Sequence, residues 1–149
     1  MSVKQNLTLS DLRQCCRGPL IDHRRENRVA DEQIQALAIR TRDRNQRVNS
    51  LSGGTQQKIV VAKALLTKPA ILILDEPTRG IDIGAKNEIY AIVRRLAAEG
   101  TAVMMVSSEL PEILSLSHRI LVMREGEVTA ELDPHRTTQE EILQYAMPN

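Results

Sequence analysis

The stretch from 70 to 82, A-I-L-I-L-D-E-P-T-R-G-I-D, constrains the fold more than any other part of the chain. Four large apolar residues in a row, at 71–74, predict a short strand that is buried on both faces of a parallel sheet. Asp75 and Glu76 follow directly, and Pro77 ends the strand because it cannot donate to a sheet ladder. Ligands bind outside the carboxyl ends of strands in open α/β sheets, so both acids are expected at the edge of a crevice.

The acid pair allows two chemical roles. An acid at the end of a buried strand can hold Mg²⁺ through water, and a second acid beside it can orient or deprotonate an attacking water. The alternative is an ordinary Asp-Glu-Pro turn that closes the strand. The pair alone does not separate these interpretations, and the neighbouring motifs are needed to do so.

Composition narrows the class of protein. A chain of 149 residues with 42% apolar residues can form one domain with a real core. The core must be built from aliphatic residues and methionine, because Tyr90 and Tyr145 are the only aromatic side chains. A formal net charge of +1 provides no overall field for nucleic acid or an anionic membrane. The adjacent Cys15 and Cys16 have no further cysteine to pair with, which favours a reducing compartment.

The rest of the chain predicts alternating helices and strands. Residues 1–8 are interpreted as an extended entry, and hydrophobic periodicity with capping residues predicts helices at 9–17, 22–39, 55–68, 84–99, 109–116 and 137–146. Gly18-Pro19 is expected to end the first of these helices, Gly100 to follow the fourth as a left-handed cap, and Thr137 or Thr138 to cap the last. An apolar run predicts a second buried strand at 102–106. Two further strands are predicted at 120–123 and 128–132, around a turn at Glu125-Gly126. Strand, helix, strand and helix in that order predict an α/β fold with a parallel sheet and flanking helices.

Several motifs around the acid pair have the order and spacing of one protein family. L-S-G-G-T-Q-Q-K lies upstream at 51–58, D-E-P-T-R-G at 75–80 is followed by I-D, and V-S-S-E-L-P-E lies at 106–112. Together they resemble the signature motif, Walker B strand and D-loop of ATP-binding cassette (ABC) transporter ATP-binding proteins. This version resembles the C-terminal part of the second cassette of sugar-import ATPases of the ribose, xylose and galactoside type. The resemblance covers nearly the whole chain.

The resemblance implies a partial P-loop NTPase (ABC ATPase) fold that lacks the N-terminal Walker A portion. It implies a single partial domain over 1–149, in which 1–50 is part of the helical subdomain. Residues 51–149 would hold the signature motif, the Walker B half of the core and the C-terminal strands and helix. The sequence contains no G-x-x-x-x-G-K-[ST] phosphate loop. The nearest approach, G-I-D-I-G-A-K-N at 80–87, has its second glycine one place early and Asn87 in place of the hydroxyl, and is the weaker alternative.

The resemblance also assigns the glycine-rich motif, whose residues are Ser52, Gly53, Gly54, Thr55 and Gln56. In the family this signature contacts the γ-phosphate of ATP held by the opposite cassette of a head-to-tail dimer. Free amides at the start of a helix suit an anion, and glycine allows it to approach closely. Thr55 stands where the family commonly has Gln or Asn. The alternative interpretation is a flexible turn with a serine cap.

Four further residues match functional positions of the family. Asp75 matches the acid that holds Mg²⁺ through water, and Glu76 matches the catalytic base. Asp82 matches the D-loop aspartate that reaches across the dimer interface, with a helix cap as the alternative. Ser108 lies where cassettes usually carry a histidine near the γ-phosphate. A hydroxyl can bond a phosphate but cannot carry the charge of an imidazolium, so ATP hydrolysis is expected to be weak.

The implied function is ATP hydrolysis coupled to sugar import. The resemblance implies ATP and Mg²⁺ as cofactors, a partner cassette and permease subunits, and a place at the cytoplasmic face of the membrane. Nucleic acid is not expected, since no aromatic residue accompanies the arginines of the first fifty residues. The alternative function is a non-catalytic remnant or interaction module that pairs with an intact cassette. We expect the isolated chain to be inactive, to expose apolar sheet faces, and to be marginally stable.

Overall fold

The structure, a computed structural model, describes residues 1–147, and its secondary structure follows a mixed order of helices and strands. The helices are α1 Val3–Thr8, α2 His23–Ala36, α3 Gly53–Leu65, α4 Ile83–Ala98, α5 Leu110–Leu116 and α6 Gln139–Ala146. The strands are β1 Cys16–Arg17, β2 Leu20–Ile21, β3 Ile71–Asp75, β4 Ala102–Val106, β5 Ile120–Arg124 and β6 Glu127–Leu132. Short 3₁₀ helices cover Leu9–Cys15 and Val48–Ser50.

The chain forms two compact units. The first unit contains Met1–Ile73 and Pro77–Met104, and the second contains Leu74–Glu76 and the residues from Met105 onward. The predicted boundary at residue 50 stays a prediction.

Residues Val3–Thr8 form helix α1, so the prediction of an extended entry over 1–8 is wrong. Ser2 caps α1 by accepting the Gln5 N–H at 3.2 Å, and the Gln5 side chain accepts the Ser2 N–H at 2.9 Å. This reciprocal capping box satisfies two backbone donors that a short helix would otherwise leave unpaired. Val3 and Leu7, four residues apart on one face of α1, are fully buried, and their burial holds the helix in the first unit.

The predicted helix over 9–17 ends two residues earlier than expected, because its last two residues form strand β1. The 3₁₀ helix ends at Cys15, and β1 then pairs with β2 in an antiparallel hairpin. Gly18 supports the turn with a φ of +63°, a conformation that glycine adopts without strain. The Gly18-Pro19 pair therefore makes a hairpin turn and does not merely stop a helix.

The other predicted helices are confirmed, with ends that differ by a few residues. Four of them begin at a residue whose side chain accepts a backbone N–H of the first turn, namely Asp22, Ser52, Asp82 and Thr138. These are among the residue types that cap helices best. Gly100, with a φ of +93°, follows α4 as predicted.

Strands β3 and β4 form a parallel pair connected through α4. The Ala102 N–H donates to the Ala70 carbonyl at 3.0 Å, and the Glu76 N–H donates to the Val106 carbonyl at 2.9 Å. The two strands therefore run in the same direction, as the helix crossover between them requires. The apolar side of α4 is buried through Ile89, Ile92, Val93 and Leu96. The predicted parallel α/β arrangement is confirmed.

The prediction that β3 is buried on both faces is wrong for residues 1–147, which the structure describes. Leu72 is 4% exposed, whereas Ile71 and Ile73 are 64% and 65% exposed. Met104 of β4 is also exposed, and the prediction that residues 102–106 form a buried strand is wrong too. Successive residues of a strand point to opposite faces, and within residues 1–147 only one face of β3 is covered. The expected exposure of apolar sheet faces is confirmed.

A buried lysine links α3 to α4 in the first unit. Lys58 is 4% exposed, and its Nζ lies 2.5 Å from Glu88 Oε2 and donates to the Ala38 carbonyl at 3.0 Å. Arg40 contributes a second bond to Glu88, at 2.7 Å. A buried ammonium needs such partners because leaving it unpaired would be costly.

The Lys58–Glu88 pair predicts loss of stability in acid. The hydrogen bond from Lys58 holds the pKa of Glu88 below its usual value of 4.5. A carboxyl whose folded pKa is lowered stabilises the fold above its unfolded pKa, and this contribution disappears as the pH falls through the folded pKa. We expect Glu88→Gln to lower the urea midpoint at neutral pH and to have a smaller effect below pH 4.5. An equal effect at both pH values would contradict this role of the pair.

The second unit is built on the predicted hairpin near the carboxyl end. Strands β5 and β6 are antiparallel, and the turn between them has positive φ at Glu125 and Gly126. Such a turn matches the twist of the two strands. The core consists of three buried residues and the apolar residues packed against them, namely Ile120, Val122 and Ile142 with Leu110, Ile113, Leu114, Ala130, Leu132 and Ala146. This core holds α5 and α6 against the hairpin.

Candidate functional site

The glycine-rich motif forms the start of α3 in the first unit. Ser52 caps the helix, with its Oγ 3.4 Å from the Thr55 N and 2.9 Å from Thr55 Oγ1. Thr55 is buried, and its hydroxyl bonds to Ser52 instead of to solvent. Ser52 and Gly53 are exposed. The exposed part of the motif is therefore its first two residues, beside helix amides that have no acceptor within the helix.

Gly54 packs against the start of α4, and the side chain of Gln56 bonds to the loop before α3. A Cβ built on Gly54 would lie 2.3 Å from the Cβ of Ala85, far inside normal contact. Gly54 therefore lets the start of α3 approach the start of α4 more closely than any other residue could. Gln56 Nε2 donates to the Leu51 carbonyl at 2.8 Å, which turns its side chain back on the loop before the helix.

Asp82 caps α4, as the alternative interpretation of this residue proposed. The Ala85 N–H donates to Asp82 Oδ1 at 2.9 Å, and the side chain is exposed. A phosphate bound by a loop over 80–87 would need the free N–H groups at the start of α4, but the Asp82 carboxylate already accepts one of them. The negative charge of Asp82 would also repel the phosphate. The geometry therefore disfavours the weaker alternative of a phosphate loop over 80–87. It leaves the role of Asp82 in a dimer as a prediction.

The acid pair lies at the end of β3 in the second unit. Asp75 is exposed, and Glu76 has a φ of +45°, in the left-handed region that non-glycine residues rarely adopt. This conformation costs on the order of 1 kcal/mol or more and persists only where the surroundings impose it. The Glu76 N–H donates to the Val106 carbonyl at 2.9 Å, and Glu76 Oε1 accepts the Ser108 N–H at 3.0 Å. The backbone of Glu76 is thus bonded to the last residue of β4, and its carboxylate is held by one N–H of the segment that follows β4.

The segment after β4 contains two residues that the sequence analysis did not assign, Ser107 and Glu112. Ser107 Oγ donates to Glu112 Oε2 at 2.6 Å and accepts the Glu109 N–H at 3.0 Å. Glu112 is 2% exposed in α5. The position of Glu112 among the apolar residues of a short helix was the available sequence signal. A carboxylate is rarely buried without a partner, so this position indicates a hydrogen-bond partner nearby.

The predicted site residues therefore fall into two groups. In the second unit the structure brings Glu76 and Ser108 into direct contact, beside Asp75. In the first unit it places the exposed residues Ser52 and Gly53 at the start of α3, and Asp82 at the start of α4.

The donor set at the strand end fits a magnesium ion bound with phosphate. Mg²⁺ usually takes one or two carboxylates and completes its octahedron with waters and substrate phosphates. The exposed carboxylate of Asp75, next to Glu76, supplies ligands of this kind. Residues 1–147 contain no group of three or more His, Cys, Asp or Glu side chains placed to hold a metal by themselves. The arrangement is suited to an ion that arrives with its phosphate ligands.

A sequence comparison decides the family. The family whose sequence model matches is described as ABC transporter, and the match covers residues 1–79, more than half of the 149 residues. The chain belongs to the ABC transporter family. Members of this family are ATP-binding proteins that generally bind ATP with Mg²⁺. No helix within residues 1–147 of this ABC family member is both long and apolar enough to cross a membrane.

Individual relatives of this ABC family member are import ATP-binding proteins. It is 48% identical to the xylose import ATP-binding protein XylG of Histophilus somni and 49% identical to the ribose import ATP-binding protein RbsA of Rhodopirellula baltica, in both cases over 148 residues. It is 54% identical over 147 residues to the putative ribose/galactose/methyl galactoside import ATP-binding protein 3 of Burkholderia ambifaria. These matches cover 98–99% of the chain, which spans 29% of the length of each relative.

Solved structures agree with the family assignment. The dimeric ATP-binding cassette MJ0796, in a post-hydrolysis state bound to ADP and Pi, has a TM-score of 0.75 at 27% identity. The match covers 90% of this chain and 57% of that one. A putative metal-chelate type ABC transporter has a TM-score of 0.80 at 18% identity over 97% of this chain and 57% of that one, which supports the fold alone. The predicted fold class, a part of the P-loop NTPase fold of ABC ATPases, is confirmed.

Proposed function

We propose that this chain is the signature and Walker B part of the ATP-hydrolysing subunit of a sugar importer, similar to the C-terminal part of a second cassette. The observation that carries the proposal is the placement of Glu76. Its carboxylate is fixed at the end of β3 by the Ser108 N–H at 3.0 Å, beside the exposed Asp75. The names of the relatives, which are xylose, ribose and galactoside import ATP-binding proteins, support the sugar assignment.

The proposed roles follow the chemistry of each group. Glu76 accepts a proton from the water that attacks the γ-phosphate. Asp75 would hold Mg²⁺ through water, and the ion would supply positive charge against the negative charge of the phosphates. The exposed residues Ser52 and Gly53 contact the γ-phosphate of ATP held by a partner cassette. The other three residues of the motif stabilise the start of α3. Gly54 packs against Ala85, the Thr55 hydroxyl bonds to Ser52, and Gln56 bonds to the Leu51 carbonyl.

Two further residues, one in each unit, have proposed roles. Asp82 reaches the partner cassette while its Oδ1 caps α4. The hydroxyl of Ser108 takes the place of the usual histidine near the γ-phosphate. In this arrangement 1–50 belongs to the helical subdomain, and 51–149 carries the signature, the Walker B strand and the C-terminal elements.

The proposed partners are a second cassette in a head-to-tail dimer and the permease subunits of a sugar importer. The dimeric state of MJ0796 supports a cassette partner. Association with permease subunits would place the chain at the cytoplasmic face of the membrane.

A second candidate function is a non-catalytic module that offers its signature to an intact cassette. The observation that favours it is Ser108, because a serine hydroxyl cannot supply the positive charge of a protonated histidine. In that case the start of α3 would be functional, and the acid pair would not be.

Calorimetry with ATP and Mg²⁺ tests the proposed signature directly. We expect no micromolar binding by the isolated chain, because its 149 residues include no phosphate-loop sequence. Added to an intact cassette whose own signature serine has been replaced by a bulky residue, the chain should tighten ATP binding by about tenfold. That factor corresponds to about 1.4 kcal/mol, the size of one charge-assisted hydrogen bond.

A matched pair of serines controls this experiment. Ser52→Ala should abolish the tightening, because the exposed hydroxyl at the start of α3 is lost. Ser50→Ala should retain it, since the Ser50 hydroxyl donates to the Arg47 carbonyl at 2.8 Å in the preceding turn. Equal effects of the two substitutions, or micromolar binding by the isolated chain, would contradict the proposal.

A further inference from the structure

Glu112, the last residue of the V-S-S-E-L-P-E motif at 106–112, is a buried carboxylate to which the sequence comparison within the family assigned no role. It is 2% exposed, on α5 of the second unit. Burying a carboxylate is costly unless strong hydrogen bonds satisfy it, and such residues are therefore uncommon in a small core. Its Oε2 accepts the Ser107 hydroxyl at 2.6 Å, the length of a strong bond between a hydroxyl and an ionised acid.

Ser107 connects this carboxylate to the segment that contacts Glu76. Its Oγ donates to Glu112 and accepts the Glu109 N–H at 3.0 Å, so the hydroxyl is fixed from both sides. The next residue along the chain, Ser108, donates its N–H to Glu76 Oε1 at 3.0 Å. The peptide between Ser107 and Ser108 is planar, so fixing the first residue also limits the direction in which the second N–H points.

We propose that Glu112 is a positioning residue for Glu76 and acts through Ser107 and the Ser108 N–H. The catalytic meaning of this positioning rests on the proposed function, in which Glu76 is the base. The hydrogen bonds themselves do not depend on that function.

The positioning has a chemical consequence for the Glu76 carboxylate. Because Oε1 accepts the Ser108 N–H, Oε2 is the oxygen left to take a proton from water. The left-handed backbone of Glu76 and its bond to the Val106 carbonyl fix the other end of the residue. With both ends fixed, the carboxylate is oriented before substrate binds, which is the arrangement that efficient proton transfer requires.

Nuclear magnetic resonance of the ¹⁵N-labelled chain tests the connection without any nucleotide. The probe is the Ser108 amide, followed by its chemical shift and its hydrogen-exchange rate. Glu76→Gln provides the reference, since it replaces the charged acceptor of that N–H with a neutral one. We expect Ser107→Ala to move the Ser108 resonance in the same direction as Glu76→Gln and to raise its exchange rate about fivefold, the factor for loss of a typical hydrogen bond.

Three comparisons make the result specific to positioning. Glu112→Gln should have a smaller effect of about twofold, because a neutral amide still accepts the Ser107 hydroxyl but less strongly. Ser107→Thr retains the hydroxyl and should restore the Ser108 resonance. Glu127→Gln replaces an exposed acid at the start of β6 and should leave it unchanged.

The Val122 amide, in the hairpin core of the same unit, separates positioning from general destabilisation. If its exchange rate stays constant while that of Ser108 rises, the proposal is supported. The proposal is overturned if Ser107→Ala leaves the Ser108 amide unchanged, or if the Val122 amide loses as much protection as Ser108. Because no ATP is present, a failure of the proposed ATPase function would not produce either result.

Discussion

Glu76→Gln is expected to lower ATP hydrolysis by a factor of about 10²–10⁴, the usual contribution of a positioned general base. The assay uses a chimeric cassette in which this chain replaces the matched 147-residue segment of the Burkholderia ambifaria relative. Glutamine has nearly the shape of glutamate and still offers an oxygen to the Ser108 N–H, but it cannot accept a proton from water. The turnover number should therefore fall while ATP binding is retained.

The acid itself, and not the general charge of the chimera, must account for this loss. Glu127→Gln removes one negative charge from an exposed position in the second unit and should leave turnover unchanged. If Glu76→Gln retained more than about a third of the activity, an effect below about 1 kcal/mol on the barrier, Glu76 would not be the base.

Gly54→Ala is expected to lower the free energy of unfolding of the chain by about 2 kcal/mol, within the range for overpacked cores. The new methyl group would lie 2.3 Å from the Cβ of Ala85, and neither atom can move without its helix. The start of α3 would have to shift away from α4. The higher helix propensity of alanine offsets at most about 1 kcal/mol of this cost. Urea unfolding of the two proteins measures the difference.

The neighbouring glycine and the contact partner provide the controls. A Cβ on Gly53 would lie 3.5 Å from Ile81 Cγ2, an ordinary contact, so Gly53→Ala should be neutral or slightly stabilising. Combining Gly54→Ala with Ala85→Gly removes the clash and should restore about 2 kcal/mol relative to the sum of the single effects. Additive effects would show that the close approach of α3 and α4 is not the cause.

The local parts of the fold and the site could be predicted from the sequence. The threonine cap of the last helix, the left-handed Gly100 and the turn at Glu125 and Gly126 each depend on a few neighbouring residues, and all were confirmed. The position of Glu76 at a strand end followed in the same way, from an apolar run that a proline terminates.

Features that depend on distant partners were missed. The apolar run at 71–74 predicts burial on both faces, but burial requires other elements to cover each face, and Ile71 and Ile73 are exposed within the described chain. Glu112 was assigned no role, because its partner Ser107 lies five residues away, in the segment that precedes α5. Side-chain hydrogen bonds of this kind leave no periodic trace in a sequence.

The rate of ATP hydrolysis by the unmutated chimeric cassette shows whether this chain carries a working Walker B strand and signature. Ser108 in place of histidine should weaken hydrolysis without abolishing it. We expect a turnover number within about tenfold of that of the Burkholderia ambifaria parent, a difference of at most about 1.4 kcal/mol in the barrier. A rate no higher than that of the Glu76→Gln chimera would show that the Walker B strand does not work and would favour a non-catalytic module.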